Sequence, residues 1–379
     1  MEFEVTRFGL RNAINAVIGA VPSRPMHLAL LNILVEANED SLVISAFDLN
    51  VAIQYTLNDI NYQPKKPGSL SVPAKLFHQM INSQDEANLL INVKDSVMTI
   101  QVENKKSTYK IVGLDSNEAI ALPQKLEVES ISISTKEFAD AVKRITPSIS
   151  NDETKAILTG FHVKTTNGYI ELVSTDGHRL SLVKIDYEGV DFEFTAPGLI
   201  VKEIAKFTSD TFDMKISESH IELTSGATRV SCRLLDGQYP QYNTIIPQKF
   251  ETELVLDKKN FISCLKRVGI LADPKTSLIL LKVDDSAELK VSVEAKEVSS
   301  GYECLPLLTV LGPSIEFALN LKYLMEGLQQ MPGNDIMIVA NSPLAPVILR
   351  PLGFNALYLT MPYRDWETDR KSTRLNSSH

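Results

Sequence analysis

Cysteine is scarce in this sequence, and no long apolar run occurs. The three cysteines, Cys232, Cys264 and Cys304, form no Cys-x-x-Cys pair, so neither a disulfide framework nor a zinc ribbon is expected. No stretch approaches the roughly 18 apolar residues that a membrane-spanning helix needs. The acidic start, Met1 to Glu4, lacks the basic region of a signal peptide. These absences favour a protein of the reducing cytoplasm that does not cross a membrane.

Positive charge is in the minority. The chain has 38 Lys and Arg against 47 Asp and Glu, a net charge of -9, which argues against coating nucleic acid by bulk charge. Hydrophobic residues make up 44% and charged residues 22% of the 379 positions, an ordinary globular composition. At about 150 residues per domain, this length predicts two or three domains.

The common catalytic and nucleotide-binding motifs are also missing. The sequence contains no GxxxxGK[ST], GxGxxG, HExxH or GxSxG. Ser174, Asp176 and His178 lie close together, but a catalytic triad converges from separate elements. Asp176-Gly177 is typical of a tight turn, here one that presents an apolar rim with Arg179 and Leu180. We therefore expect no catalytic residue, no metal site and no cofactor.

The end of the chain does not resemble the rest. Residues 369–379 have no hydrophobic period and read as an in-frame translation of a sequencing-library adapter. A disordered polar tail is the alternative interpretation. Residues 365–379 are accordingly set apart from the fold prediction as a non-native tail.

Two local patterns each occur three times. One is a short alternating strand, a polar residue suited to capping a helix, and an amphipathic helix, with caps expected at Thr6, Thr135 and Asp257. The other is a strand that leads into a helix near Pro73, Pro197 and Asn320, at spacings of 124 and 123 residues. A shared period predicts three copies of one α+β module. The expected domains are residues 1–127, 128–251 and 252–364.

The stretches between the predicted helices have the pattern of β-strands. Residues 41–45, 88–93, 97–102 and 216–223 alternate or are apolar, and turn residues separate such runs. Because the connections are short, antiparallel sheets with one helix-covered or solvated face are expected.

Charge is distributed unevenly. The predicted helical stretches 6–24, 73–84, 135–150, 197–209, 257–273 and 320–330 together carry +8, which leaves -17 for the remainder. Within two of them the apolar residues share one face, and most of the basic residues lie opposite. In the stretch 135–150 the apolar face is Phe138, Ala141, Val142 and Ile145, and the basic residues opposite are Lys136, Lys143 and Arg144. In the stretch 257–273 the apolar face is Phe261, Leu265 and Val268, and the basic residues opposite are Lys259, Lys266 and Arg267. Either these are ordinary solvated faces, or they form a positive surface for a phosphate backbone.

Longer motifs carry a family resemblance. Thr175-Asp-Gly-His-Arg-Leu180 resembles the TDGHRLA segment of the bacterial sliding clamp, the β subunit of DNA polymerase III. Gly237-Gln-Tyr-Pro-Gln-Tyr-Asn-Thr-Ile-Ile-Pro247 resembles its G-x-[FY]-P-x-Y-x-x-[VL]-[IL]-P segment. Ser23-Arg24-Pro25 and Thr360-Met-Pro-Tyr-Arg364 also fit the family. The resemblance extends from Met1 to about Arg364.

This resemblance implies an α+β fold of three tandem DNA-clamp modules, each with two helices packed on antiparallel sheets. It further implies a head-to-tail homodimer that closes a six-domain ring around duplex DNA, without sequence preference and without enzymatic activity. The implied partners are the replicative polymerase, the clamp loader, and repair and translesion polymerases, which bind through short Gln-, Leu- and Phe-bearing motifs. The implied location is the cytoplasm, at the nucleoid.

The resemblance also implies two sets of site residues, and helix placement and charge predict a third. The partner-peptide pocket comprises Leu158, Thr175, Gly177, His178, Arg179, Leu180, Pro240, Ile245, Asn320, Tyr323, Met361 and Pro362. The subunit interface comprises Tyr109, Ile111, Ile270 and Leu271. From helix placement and charge, the DNA-facing residues are Arg24, Lys202, Lys206, Lys259 and Lys266.

Other interpretations remain open at this point. A monomer could grip DNA from one side, or the chain could be an enzyme with an unrecognised site. Leu158 and Ile245 could be ordinary core residues rather than pocket residues.

Overall fold

The computed structural model describes residues 1–58, 61–115, 118, 120–284, 287–295 and 299–363. Arg364 and the predicted non-native tail, 365–379, lie outside these residues. Within the described ranges, no helix is both long and apolar enough to cross a membrane.

The helices and strands follow three similar series. The first is β1 (Glu2–Thr6), α1 (Arg7–Val17), β2 (Asn32–Ala37), β3 (Ser41–Phe47), β4 (Val51–Asn58), β5 (Tyr62–Lys66), β6 (Gly68–Pro73), α2 (Ala74–Asn82), β7 (Asn88–Lys94), β8 (Val97–Val102) and β9 (Thr108–Val112). The second is β10 (Ile131–Ser134), α3 (Thr135–Ile145), β11 (Gly160–Thr166), β12 (Tyr169–Thr175), β13 (Arg179–Asp186), β14 (Glu193–Pro197), α4 (Val201–Ile204), β15 (Thr211–Ile216), β16 (His220–Ser225) and β17 (Thr228–Arg233). The third is β18 (Thr252–Asp257), α5 (Lys258–Val268), β19 (Leu278–Val283), β20 (Glu288–Ala295), β21 (Ser299–Pro306), β22 (Thr309–Leu311), β23 (Ile315–Asn320), α6 (Leu321–Gln330), β24 (Asp335–Ala340), β25 (Val347–Pro351) and β26 (Ala356–Thr360).

The described chain forms two compact units. The first unit, Met1–Lys136 with Leu199–Leu234, contains a five-stranded sheet, β5-β1-β7-β8-β9, and an eight-stranded sheet, β10-β15-β16-β17-β4-β3-β2-β6. The second unit, Glu137–Gly198 with the chain from Leu235 onward, contains a nine-stranded sheet, β14-β11-β12-β13-β26-β25-β24-β18-β22, and a four-stranded sheet, β21-β20-β19-β23.

Two strand pairs join neighbouring repeats. β4 of the first repeat pairs antiparallel with β17 of the second, and β13 of the second pairs antiparallel with β26 of the third. Backbone hydrogen bonds therefore continue from one repeat into the next, and neither repeat leaves an open strand edge at these places. For this reason the compact units follow the continuous sheets rather than the sequence repeats.

The predicted strand–cap–helix unit occurs three times, with one difference. Thr6 Oγ1 accepts a hydrogen bond from Gly9 N at 3.1 Å, and Asp257 Oδ1 accepts one from Asn260 N at 2.6 Å, so both are caps as predicted. The prediction for Thr135 is wrong. Thr135 is the first residue of α3, and its buried hydroxyl has no hydrogen-bond partner among the described residues.

The amphipathic helices bury the predicted faces. All four apolar residues of the α3 face and all three of the α5 face are buried, with Phe138 and Phe261 among the largest buried side chains. Burying such a side chain contributes about 1.5–3 kcal/mol. Lys136, Lys143 and Lys259 are exposed, so apolar burial determines which side of these helices faces solvent.

Three predicted elements are shorter than expected. In the stretch 6–24, α1 ends at Val17 and a 3-10 turn follows to Ala20, because Pro22 lacks an N–H and favours extended backbone before it. In the stretch 197–209, α4 ends at Ile204, before a run of Phe, Thr and Ser with low helix propensity. The run 216–223 is interrupted by a turn, because β15 ends at Ile216 and β16 begins at His220.

Candidate functional site

The turn between β12 and β13 is held by its own polar side chains. Asp176 Oδ1 accepts hydrogen bonds from His178 N at 2.9 Å and Arg179 N at 3.0 Å. Thr175 Oγ1 donates to Arg179 O at 2.7 Å and accepts from Gly177 N at 3.1 Å. Gly177 has φ +92°, and a Cβ atom there would meet no other atom within 4 Å. The turn is therefore the tight turn that the Asp-Gly pair predicts, with open space above its glycine.

Arg179 connects this turn to α6. Its Nε lies 2.9 Å from Asp176 Oδ2, its Nη1 donates to Glu326, and its Cζ lies 4.4 Å from the centroid of the Tyr323 ring. Burial acts to lower the pKa of Arg179, but the hydrogen-bonded carboxylates outweigh burial and the net shift is upward. Arg179 is therefore a mostly buried structural cation rather than a free one.

The start of α6 contributes an aromatic ring. Asn320 caps the helix by accepting a hydrogen bond from Tyr323 N at 3.1 Å. Tyr358 OH donates to Tyr323 O at 2.7 Å. The rings of His178 and Tyr323 are 6.3 Å apart and nearly parallel, at 23°. Two flat side chains thus lie side by side next to the open space at Gly177.

The floor of the site is apolar. Met361 N donates to His178 O at 2.9 Å, which fixes the end of β26 against the turn. Leu158 and Leu180 belong to one buried cluster, against which Met361 packs.

Buried aromatic residues hold the loop 237–247. Tyr239 OH accepts a hydrogen bond from Thr175 N at 3.1 Å, and the Tyr239 ring stacks on His162 with centroids 5.0 Å apart. Tyr242 OH donates to the buried carboxylate of Glu171. Sequence reasoning did not assign a role to these residues, although both tyrosines lie in the G-x-[FY]-P-x-Y motif.

The twelve predicted pocket residues lie together in the second unit, but they differ in accessibility. Exposed or partly exposed are Gly177, His178, Pro240, Ile245, Asn320, Tyr323 and Met361; buried are Leu158, Thr175, Arg179, Leu180 and Pro362. The buried members offer little accessible surface in this structure. The predicted rim of Arg179 and Leu180 is therefore wrong, because Leu180 has no exposed surface. Ile245 is 45% exposed, which excludes a core role, whereas Leu158 is a core residue.

Ser174, Asp176 and His178 do not converge. Ser174 is buried, and its hydroxyl donates to Ile145 O. Asp176 is occupied by the backbone of the turn, and His178 lies against Tyr323. In the part of the chain that the structure describes, no group of three or more His, Cys, Asp or Glu is placed to hold a metal ion.

The five predicted DNA-facing cations are all exposed, but only three are on helices. Lys202 lies on α4, and Lys259 and Lys266 lie on α5. The helix placement of the other two is wrong, for the reasons that end α1 and α4 early. Arg24 lies in the bend after α1, and Lys206 follows α4, where its Nζ is 2.7 Å from Glu203 Oε2.

The four predicted interface residues lie on or beside outer strands. Tyr109 and Ile111 are on β9, the outer strand of the five-stranded sheet. Ile270 and Leu271 follow α5, and Leu271 O accepts a hydrogen bond from Ser299 Oγ of β21, the outer strand of the four-stranded sheet. Ile111 is buried in its own sheet, whereas Val112 is 70% and Ile270 81% exposed. Val112 on β9 and Tyr302 on β21 are also exposed, and they were not among the predicted interface residues.

Three family models match nearly the whole described chain. They are the N-terminal domain of the DNA polymerase III beta subunit over residues 1–123, its central domain over 132–241, and its C-terminal domain over 243–364.

Curated relatives and solved structures agree with these models. The chain is 31% identical to the beta sliding clamp of Synechococcus elongatus over 367 residues, which cover 93% of this chain and 96% of the relative. It is 25% identical to the beta sliding clamp of Bacillus subtilis, covering 97% of this chain and 100% of the relative. The crystal structure of the Bacillus subtilis DNA polymerase sliding clamp shares the fold, with a TM-score of 0.92 at 24% identity over 96% of this chain and 99% of that one. One conclusion follows from the three repeats, the turn at residues 175–180 and the matches along the described chain. The chain belongs to the DNA polymerase III beta subunit family, the bacterial DNA sliding clamps.

Proposed function

We propose that two copies of this chain pair head to tail into a ring that encircles duplex DNA and tethers the replicative polymerase and other partners. The proposed modules are residues 1–127, 128–251 and 252–364. The chain contributes topology and binding sites, and catalysis belongs to its partners. The observation that carries this function is the surface beside the turn 175–180, where the His178 and Tyr323 rings lie next to each other and Met361 packs on an apolar cluster. We call this surface the groove.

The groove suits a short extended peptide with apolar side chains. His178, Tyr323, Ile245 and Met361 offer accessible apolar surface, and Gly177 leaves room for the peptide backbone. Such surfaces with a few convergent polar groups are typical of peptide sites. We infer that Leu and Phe side chains bind in this groove, and that a neighbouring Gln adds hydrogen bonds. Polymerases, the clamp loader and repair factors, including translesion polymerases, are the proposed bearers of such motifs.

Exposed cations on helices are suited to DNA phosphates. Lys202, Lys259 and Lys266, together with Arg24 and Lys206, would make contacts that carry no base information. The net charge of -9 leaves the remaining surface acidic. Weak phosphate contacts inside a closed ring allow sliding while the ring prevents escape. Binding to chromosomal DNA places the protein in the cytoplasm, at the nucleoid.

Outer strands are suited to closing the ring. We propose that β9 of one copy pairs with β21 of the other, which would satisfy the free backbone groups of both edges. Tyr109, Ile270 and Leu271, with Val112 and Tyr302, would form the apolar part of this interface, and the buried Ile111 would support it from within its sheet.

One comparison tests the ring directly. The protein is loaded onto nicked circular DNA by a clamp loader with ATP, and its retention is measured before and after the circle is cut. A ring should remain on the circle and be lost from the linear ends. Equal retention on both forms would overturn the ring and support a monomer that grips DNA from one side.

A further inference from the structure

The first unit contains a cavity on one face of its eight-stranded sheet. The cavity has a volume of about 590 Å³, within the usual range for ligand sites. On β2 and β3, Val35 and Ile44 are fully buried in the core, whereas the adjacent Glu36 and Val43 line the cavity. Successive side chains of a strand point to opposite faces, so the cavity lies on the face opposite to the core.

The linker between the first and second repeats forms one wall of the cavity. Leu126 N donates to Glu222 Oε2 at 3.2 Å, and Lys215 Nζ donates to Leu126 O at 2.9 Å. Glu222 is buried, and its Oε2 also lies 2.6 Å from Arg229 Nη2. Lys125, the residue before Leu126, lines the cavity. Charged side chains of the sheet therefore hold the linker backbone at this wall.

The cavity is long and narrow. Its lining includes residues of β2, β3, β4, β17, β16 and β15, which are neighbours in the sheet. Adjacent strands are about 4.8 Å apart, so this lining extends about 24 Å across the sheet. An extended peptide advances about 3.3 Å per residue, so about seven residues cover the same length. The shape therefore suits an extended peptide that crosses the strands better than it suits a compact small molecule.

The charge at the β2 end of the cavity is unbalanced. Glu36 is partly buried, and burial raises the pKa of its carboxyl group. The register places Val43 and Ser69 directly opposite Glu36 on the two adjacent strands. The diagonal neighbours on these strands are serines: Ser41, Ser45 and Ser71. In the part of the chain that the structure describes, no cation is therefore among the cross-strand neighbours of Glu36.

The other end of the cavity has an excess of positive charge. At the β15–β17 end, the lining includes three cations, Lys125, Lys215 and Arg229, and two carboxylates, Asp213 and Glu222. The cavity is therefore negative at one end and positive at the other. A ligand with the reverse arrangement of charges complements such a site.

We propose that this cavity binds an extended partner peptide that carries Lys or Arg near one end and Asp or Glu about five residues away. The basic side chain pairs with Glu36, and the acidic side chain pairs with Lys125, an exposed cation of the linker. The hydroxyls of Thr56, Thr224 and Thr228 line the cavity between these ends and bind the peptide backbone. This site goes beyond the proposed groove, because it recognises charge rather than apolar side chains and lies on a different sheet.

A labelled peptide and the intact protein test the site. The probe is the decapeptide Gly-Ser-Lys-Ser-Gly-Ser-Thr-Asp-Ser-Gly, whose binding is measured by fluorescence anisotropy at low salt. The substitution Glu36→Lys should weaken binding at least tenfold, and Lys125→Glu should weaken it several-fold. The matched control is Glu188→Lys, which makes the same charge change at an exposed carboxylate of the second unit. It should change the affinity no more than about twofold.

A charge exchange and a neutral variant complete the test. A second peptide, with Glu in place of Lys, should bind Glu36→Lys more tightly than it binds the unchanged protein. Glu36→Gln should also weaken the first peptide, but it should not lower the melting temperature, because it removes a partly buried charge. This separates lost binding from unfolding. The site is overturned if the first peptide shows no saturable binding, if neither charge reversal changes its affinity, or if the second peptide does not prefer Glu36→Lys.

Discussion

At the residue scale, His162 is buried against the loop 237–247, next to the proposed groove. Its Nδ1 lies 3.1 Å from Thr195 Oγ1, its Nε2 lies 3.5 Å from Glu193 Oε1, and its ring stacks on Tyr239. Lys164 and Glu171 are the other charged groups that act on it. Because Tyr239 also accepts a hydrogen bond from Thr175 N, the imidazole supports the loop and the turn together.

The first prediction concerns pH. Burial lowers the pKa of His162 below its usual 6.5, so the unfolded chain binds this proton more readily than the folded chain. The contribution of His162 should be fully present above a pH of about 6.5 and decrease as the pH falls toward the folded-state pKa. Urea denaturation at several pH values measures this dependence. As the pH falls, the free energy of unfolding should decrease less for His162→Gln than for the unchanged protein. The exposed His178→Gln is the control and should keep the full slope; equal slopes in all three proteins would contradict the prediction.

At the scale of elements, the same strand–cap–helix unit is completed in different ways. Thr6 and Asp257 each give an oxygen to a helical N–H. Thr135 is one residue further into its helix, where its backbone N donates to Asp210 O at 2.9 Å and its hydroxyl is buried without a partner. The polar residues at the starts of these helices therefore have opposite energetic consequences.

The second prediction compares two of these positions. Asp257→Ala removes a cap and should lower the free energy of unfolding by about 1 kcal/mol. Thr135→Val keeps the side-chain shape and removes an unsatisfied hydroxyl, so it should raise that free energy by about 1 kcal/mol. Chemical denaturation of both variants measures the difference. A loss of stability in Thr135→Val would mean that the hydroxyl has a partner in solution.

The third prediction concerns the outer strands. The double substitution Ile270→Ala and Leu271→Lys removes exposed apolar surface next to β21 and adds a charge, so a folded monomer should result. Sedimentation velocity gives the mass, and circular dichroism reports the fold. The control Leu344→Lys changes an exposed leucine away from both outer strands and should leave the dimer unchanged. A dimer that survives the double substitution would show that the interface lies elsewhere.

At the scale of the whole molecule, the net charge is negative, whereas three exposed lysines on helices are proposed to contact DNA. The fourth prediction is that the variant with Lys202→Ala, Lys259→Ala and Lys266→Ala loads less efficiently on DNA. Each lost phosphate contact should reduce the slope of log K against log salt by about 0.9. Titrations at several salt concentrations measure this slope. The matched control is Lys65→Ala, which removes an exposed lysine paired with Glu4; an unchanged slope in the triple variant would assign its three lysines to a surface that does not contact DNA.

Several features could be predicted from the sequence because their causes are local. The period of apolar residues identified the buried faces of α3 and α5, and Asp176-Gly177 identified a tight turn. The caps at Thr6 and Asp257 followed from side-chain type and position. Arg24 and Lys206 were misplaced because charge counts do not show where a helix ends, and the end of a helix depends on a few neighbouring residues.

By itself, the sequence determined the three repeats, the strand–helix units and the family motifs, since each depends on residues that are close together in the chain. Only the tertiary structure decided which repeats share a sheet, because the pairing of β4 with β17 and of β13 with β26 joins distant segments through backbone hydrogen bonds. It also decided that Leu180 is buried and Ile245 exposed. Only the fold likewise shows that Leu49 has the left-handed backbone conformation of Gly177, because leucine does not favour a positive φ.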